Sequence, residues 1–343
     1  MLACGEPDLL GIDHAVHDLA AASGERQYQA SFWRIGLPRS GEPGLSRRMS
    51  VRDFLLLAFV CLAWAANNVV SKYVVTHLGA PPMFYAAMRF AVVSIAVFPW
   101  LRNMPRPRWK MVLIGLMMGG GTFSLVFIAL KTSSPSAVAI VSQMGVPLTT
   151  VLSYFMLGER LSFQRMIGVG LTLAGVLLVM WDPGGFRLSP GLMLVVVAST
   201  LGSLGAVMMK QMDGVKPLQF QAWVGVSSLA PTLAFSLLFE PNQVHLAVAA
   251  GWSFWAAALF SGLFVSVVAH TLYYSLIQKY EATLISPLTL MTPLATIALG
   301  VLFTHDAFGF RMALGTALAL AGVLIIALRW NQVMAVLSRT RTA

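Results

Sequence analysis

Acidic residues are nearly missing from most of this sequence. After residue 48 only Asp53, Glu159, Asp182, Asp213, Glu240, Glu281 and Asp306 occur, and each falls at the end of an apolar run or between two runs. Charged residues make up 10% of the chain and hydrophobic ones 57%, whereas a soluble globular chain carries roughly 25% charged residues. A soluble globular fold is excluded. Cysteine is scarce as well. Cys4 sits in a polar stretch and Cys61 in an apolar run, so no disulfide framework is implied. No Gly-x-x-x-x-Gly-Lys-Ser/Thr loop is present to power a primary pump. No His-Glu-x-x-His, Gly-x-Ser-x-Gly or intramembrane aspartate pair offers catalysis, so an integral-membrane enzyme is the weaker alternative, and neither a cofactor nor a metal is expected.

What the sequence has is apolar length. A membrane span needs about 20 mostly apolar residues, and uncharged runs of that order cover 54–71, 111–130, 132–158, 166–181, 188–209, 217–239, 246–278, 282–304 and 312–328. A further run, 82–101, is interrupted only by Arg89. Together they predict an all-α polytopic membrane protein of ten transmembrane helices. Basic residues sit in alternate loops: with the segment before Phe54 in the cytoplasm, 15 fall inside and four outside. That bias predicts a multi-pass protein of the cell (inner or plasma) membrane with both termini cytoplasmic. The net charge of +10 is then topology and lipid contact, and nucleic acid is not expected. Residues 1–48 carry six acids and five arginines without an apolar period. They are expected to be a disordered or spurious extension, with a regulatory tail as the alternative; 329–343 is a basic cytoplasmic tail.

One stretch occurs twice. Gln143 precedes Pro147-Leu148 by four positions, and Thr289 precedes Pro293-Leu294 by four. Each copy ends in an apolar helix, 171–177 and 318–324, identical at six of seven positions, with a glycine seven residues before the shared glycine, Gly168 and Gly315. The chain therefore divides into a first repeat, 49–182, and a second, 183–328. Five spans per repeat is an odd number, so the repeats are inverted, the plan of secondary transporters with a site near the midplane.

Polar side chains within the spans give the candidate site. Trp64, Asn68 and Lys72 lie a turn apart on one face of span 1. Arg89 stands mid-membrane in span 2, where an arginine costs about 2.5–3.5 kcal/mol on insertion scales and so faces the bundle interior or a wet cavity. Glycines 115, 119, 120 and 121 in span 3 read as close helix packing. A proline frees the carbonyl four residues back, so Pro147 and Pro293 are candidate hinges, with Gln143 and Thr289 beside them as cavity walls. Ser203 in span 6 and His270 and Tyr274 in span 8 complete the set; Tyr273, adjacent to Tyr274, points about 100° away and cannot share its face. No carboxylate lies mid-bilayer, so a cationic drug has no counter-charge, while a carboxylate-bearing substrate meets Arg89, Lys72 and His270.

These residues resemble the drug/metabolite transporter superfamily, specifically its EamA-type exporters. The resemblance rests on Trp64…Asn68…Lys72, Met88-Arg89-Phe90, Pro147 followed by Leu157-Gly158-Glu159-Arg160, the two glycine-rich closing helices, and Lys279-Tyr280-Glu281-Ala282 leading to Pro287-Leu288 and Pro293. It covers 49 to about 328. It implies two inverted five-helix bundles, a central cavity lined mainly by helices 1, 3, 4, 6, 8 and 9, and export of amino acids or related metabolites, with cationic drugs or phosphorylated sugars as alternative cargo. Where the family's second copy keeps a glutamate, this chain has His305-Asp306. The partners expected are a small-molecule substrate and the lipid bilayer, with a homodimer left open.

Overall fold

The computed structural model describes residues 49–101, 104–158, 161–182, 187–212, 215–280 and 282–327. The expectations for 1–48, Glu159, Arg160, Asp213, Glu281, the linker at 183–186 and the tail 329–343 lie outside them. Among the described residues apolar helical segments follow one another along the predicted spans: α1 (Val51–Thr76), α2 (Pro82–Ala96), α3 (Arg108–Leu130), α4 (Pro135–Leu157), α5 (Phe163–Met180), α6 (Pro190–Met209), α7 (Pro217–Phe239), α8 (252–279), α9 (282–303) and α10 (Phe310–Ala327). Eight are long and apolar enough to cross a membrane, and Pro82–Ala96 and Met291–Phe303 are shorter apolar helices.

Two boundaries differ from the sequence reading. The run 82–101 stays α-helical only to Ala96 and finishes as a 3-10 turn, Phe98–Leu101. The run 246–278 is divided by Gly251, whose φ of 66° suits glycine. A short helix, Gln243–Ala249, precedes it and α8 begins at Trp252.

The helices start where the sequence supplies caps. Ser50, Ser134 and Ser162 accept the N–H groups of Asp53, Ala137 and Arg165 at 3.2, 3.2 and 3.3 Å. Large apolar side chains such as Phe155, Phe163, Trp252 and Phe310 are exposed, as lipid-facing helices require. Inside, small residues let backbones approach. The repeated block forms the closest of these contacts: α5 and α10 cross antiparallel, with Gly168 against the Gly322 carbonyl and Gly175 against the Gly315 carbonyl. Each glycine meets the partner helix's counterpart of the other, so the two glycine-bearing stretches, 168–177 and 315–324, form one self-complementary interface.

Candidate functional site

Among the described residues two helices contain π-helical segments, in which backbone bonds reach five residues and the ladder is locally widened. They are Met117–Gly121 in α3 and Phe260–Ala269 in α8. Shifted by 146, the offset between Pro147 and Pro293, the first falls at 263–267, inside the second. Side chains reach back five residues to secure each one. Thr122 Oγ1 donates to the Met117 carbonyl at 2.8 Å, Ser266 Oγ to that of Ser261 at 2.8 Å, and His270 Nδ1 lies 2.7 Å from that of Val265. A carbonyl only accepts, so Nδ1 carries the proton and Nε2 is left as the other polar atom of the ring. The α3 segment is also held by α7: Ser228 Oγ accepts the Gly120 N–H at 2.8 Å and donates to the Gly115 carbonyl at 3.1 Å. A Cβ at Gly119 would stand 2.3 Å from that oxygen. The glycines of span 3 thus do pack closely, as expected, but the π segment was not legible in them.

Arg89 faces inward and is fully buried. Its Nε donates to Ser266 Oγ at 2.9 Å, and its guanidinium carbon lies 3.7 Å from the centre of the Phe123 ring. Among the described residues Nη1 has no hydrogen-bond partner and no carboxylate forms an ion pair with the guanidinium. Ser266 is one turn before His270, so α8 carries both the hydroxyl that holds Arg89 and the aromatic group that meets α1. There the Trp64 ring lies 5.2 Å from His270 and 4.9 Å from Tyr273, while Tyr274 turns to Phe220 of α7 at 5.6 Å. The two tyrosines diverge as their spacing demands. Trp64, Asn68, His270, Tyr273 and Tyr274 are all partly exposed. Ser266 and Phe123 escaped the sequence reading; the only signal was Ser266 one turn before His270.

Gln143 and Ser203 lie elsewhere, on α4 and on its contact with α6. Ser203 Oγ donates to the Gly145 carbonyl at 2.9 Å, and Gln143 Nε2 turns back to the Ala139 carbonyl of its own helix at 3.4 Å. Both prolines are buried beside real breaks: a 3-10 turn, Ser142–Met144, before Pro147, and an interruption of α9 after Leu288, before Pro293. The expectation of a free Thr289 carbonyl is corrected, because the chain tightens at the break and that carbonyl accepts the Thr292 N–H at 2.9 Å.

Lys72 is not free to bind a solute either. Its Nζ donates to the carbonyls of Leu130 and Ser133 at 2.8 and 3.1 Å, closing the C-terminal end of α3. Two carboxylates at the same end cap helices of the other half of the chain. Glu240 accepts the Met83 and Phe84 N–H groups at 2.8 Å each, at the start of α2. Asp306 accepts the Ser136 N–H at 2.9 Å and Thr304 Oγ1 at 2.7 Å, at the start of α4. Each places negative charge on a helix N-terminus. At the opposite end Asp53 pairs with Lys279 at 2.5 Å and accepts the Tyr280 hydroxyl. The hydrogen bond that Lys279, beyond the apolar span Trp252–Ile277, donates to Asp53 raises the Lys279 pKa above the ordinary lysine value, so the ammonium stays charged across physiological pH.

Comparison with known proteins gives one consistent answer. The model of the EamA-like transporter family matches twice, over residues 53–181 and 189–328. The "Probable amino-acid metabolite efflux pump" of Escherichia coli (strain K12) is 25% identical over 302 residues, 84% of this chain and 99% of that protein. The protein of the same name from Salmonella typhimurium (strain LT2) is 27% identical over 290 residues, 81% of this chain and 95% of that protein. A solved crystal structure shares the fold, with a TM-score of 0.55 at 21% identity over 81% of this chain and 96% of its own.

Proposed function

The chain belongs to the EamA-like transporter family, and from that premise we propose that it exports amino acids or related small metabolites across the cytoplasmic membrane by alternating access. It is a multi-pass membrane transporter and not an enzyme. The observation that carries the mechanism is the α5–α10 crossing, in which glycines at equivalent positions of two similar sequences meet antiparallel. Two halves related in this way can rock about their shared interface and offer one site to either side in turn. The paired π segments and the paired proline breaks, each near the same offset, supply flexible points in both halves. The cargo class rests on the names of the two relatives. The candidate cavity comprises Trp64, Asn68, His270 and Tyr274 on α1 and α8, with Gln143, Ser203 and Thr289 toward the proline breaks. The 15-to-4 distribution of basic residues supports cytoplasmic termini, with the repeats at 49–182 and 183–328.

Cells overproducing the chain should accumulate at least one amino acid or related metabolite in the medium, read by mass spectrometry against cells carrying an empty vector. Efflux should saturate as the internal concentration rises. A medium identical to that of the control overturns the export reading, and linear, unsaturable flux points to a channel instead.

A further inference from the structure

We propose that Arg89 is the group that binds the carboxylate of the exported solute and that the Phe123 ring is its removable cover. The inference rests on the export reading above and names the chemical class that the site selects. Among the described residues Arg89 is the largest fully buried side chain, in the middle of an apolar helix. Among the described residues it has no carboxylate partner; one hydroxyl and one aromatic face stand in for it. A guanidinium presents a planar fork of donors that matches a carboxylate with two parallel bonds. Here Ser266 occupies only Nε, and Nη1 has no partner. An aromatic face attracts a cation less strongly than a carboxylate does, so an anionic solute can displace the ring.

Phe123 is placed to be displaced. It is half-buried and stands two residues after the π segment Met117–Gly121. Its other ring neighbours, Phe90 and Phe127, are apolar, each at 6.1 Å, and give it no polar anchor. If the π segment gives up its extra residue and becomes α-helical, the residues beyond it turn by about 100°. That rotation carries the ring off the guanidinium. Ser266 lies within the second π segment, so the groups that hold Arg89 come from the two points at which the halves carry the same irregularity. The cover and the clamp therefore move with the elements that differ from a regular helix.

The test uses purified full-length protein and two readouts, thermal stabilisation by ligand and transport in proteoliposomes. The probes are the standard L-amino acids and the C-terminal amide of each, so that only the carboxylate is removed. For an acid that stabilises the wild type, its amide should bind about tenfold or more weakly. Arg89→Gln should bring the two close to parity, and Arg89→Lys should restore part of the preference. Phe123→Leu keeps an apolar side chain but removes the aromatic face, and should tighten acid binding several-fold while leaving the amide unchanged. Equal binding of acid and amide by the wild type overturns the proposal, as does an unchanged preference in Arg89→Gln. Should Arg89→Gln fail to fold, Phe123→Leu with an unaltered acid-to-amide ratio overturns it alone. Stabilisation by acids without any transport contradicts export and leaves the carboxylate site standing; transport that ignores the carboxylate does the reverse.

Discussion

Gly175→Ala is expected to unseat α10 from α5 and to cause the largest loss of folded protein of any single methyl added to this chain. The new Cβ would lie 2.4 Å from the Ala319 nitrogen and 2.5 Å from the Gly315 carbonyl oxygen. Both atoms are backbone of the facing helix, so neither can rotate away, and the helices must separate. Overpacking of this kind costs about 1–3 kcal/mol, occasionally more. Contact across the whole interface is reduced, because Gly168, Gly315 and Gly322 depend on the same closeness. Gly170→Ala is the control on the same helix. A Cβ there meets nothing within 4 Å, and alanine favours helix over glycine by about 1 kcal/mol, so its sign should be opposite. Unfolding temperature and monodispersity of the solubilised protein read both. Equal behaviour of Gly175→Ala and Gly170→Ala contradicts the interface.

Ser228→Ala should have the second largest effect, and on function more than on abundance. The hydroxyl is fully buried and bridges the Gly120 N–H and the Gly115 carbonyl across the π segment of α3. Its removal leaves buried backbone groups short of a partner, at about 1–3 kcal/mol for a group left unsatisfied. The segment can recover by tightening to an α-helix, which rotates Phe123 away from Arg89. Export per inserted molecule should therefore fall by roughly tenfold, as a loss of ~1.4 kcal/mol from the working conformation implies. Ser227→Ala is the control one residue away. That hydroxyl donates to the Trp223 carbonyl of its own helix, and its loss should change little. If the two serines behave alike, the π segment has no part in transport.

The fold was legible because lipid imposes it. With no water to satisfy backbone groups, apolar length alone announces a helix, and the 146–147 offset in prolines and glycines set the expectation of two repeats. The glycine block stood in the sequence only as a mark of repetition. Its meaning lay in meeting itself, which one-dimensional similarity allows but does not state. The polar groups were harder to read because their roles depend on which loop reaches which helix end. Lys72 pointed, by spacing, to a cavity beside Asn68, yet the end of α3 arrives first and its carbonyls take the ammonium. Asp306 and Glu240 looked like loop acids and prove to be caps on α4 and α2, more than 150 residues distant in sequence. The π segments left no legible trace, since an inserted helical residue changes no composition.

One site, bordered by α1 and α8, is expected to open to each side of the membrane in turn. Asn68 is half-buried on the face of α1 that carries Trp64, and Asn68→Cys in a chain with Cys4 and Cys61 changed to serine makes it the sole thiol. A membrane-impermeant maleimide should label it both in intact cells and in inside-out vesicles, and saturating amounts of the exported solute should slow both reactions. Labelling from one side alone, at a rate the solute does not alter, would contradict alternating access at this site.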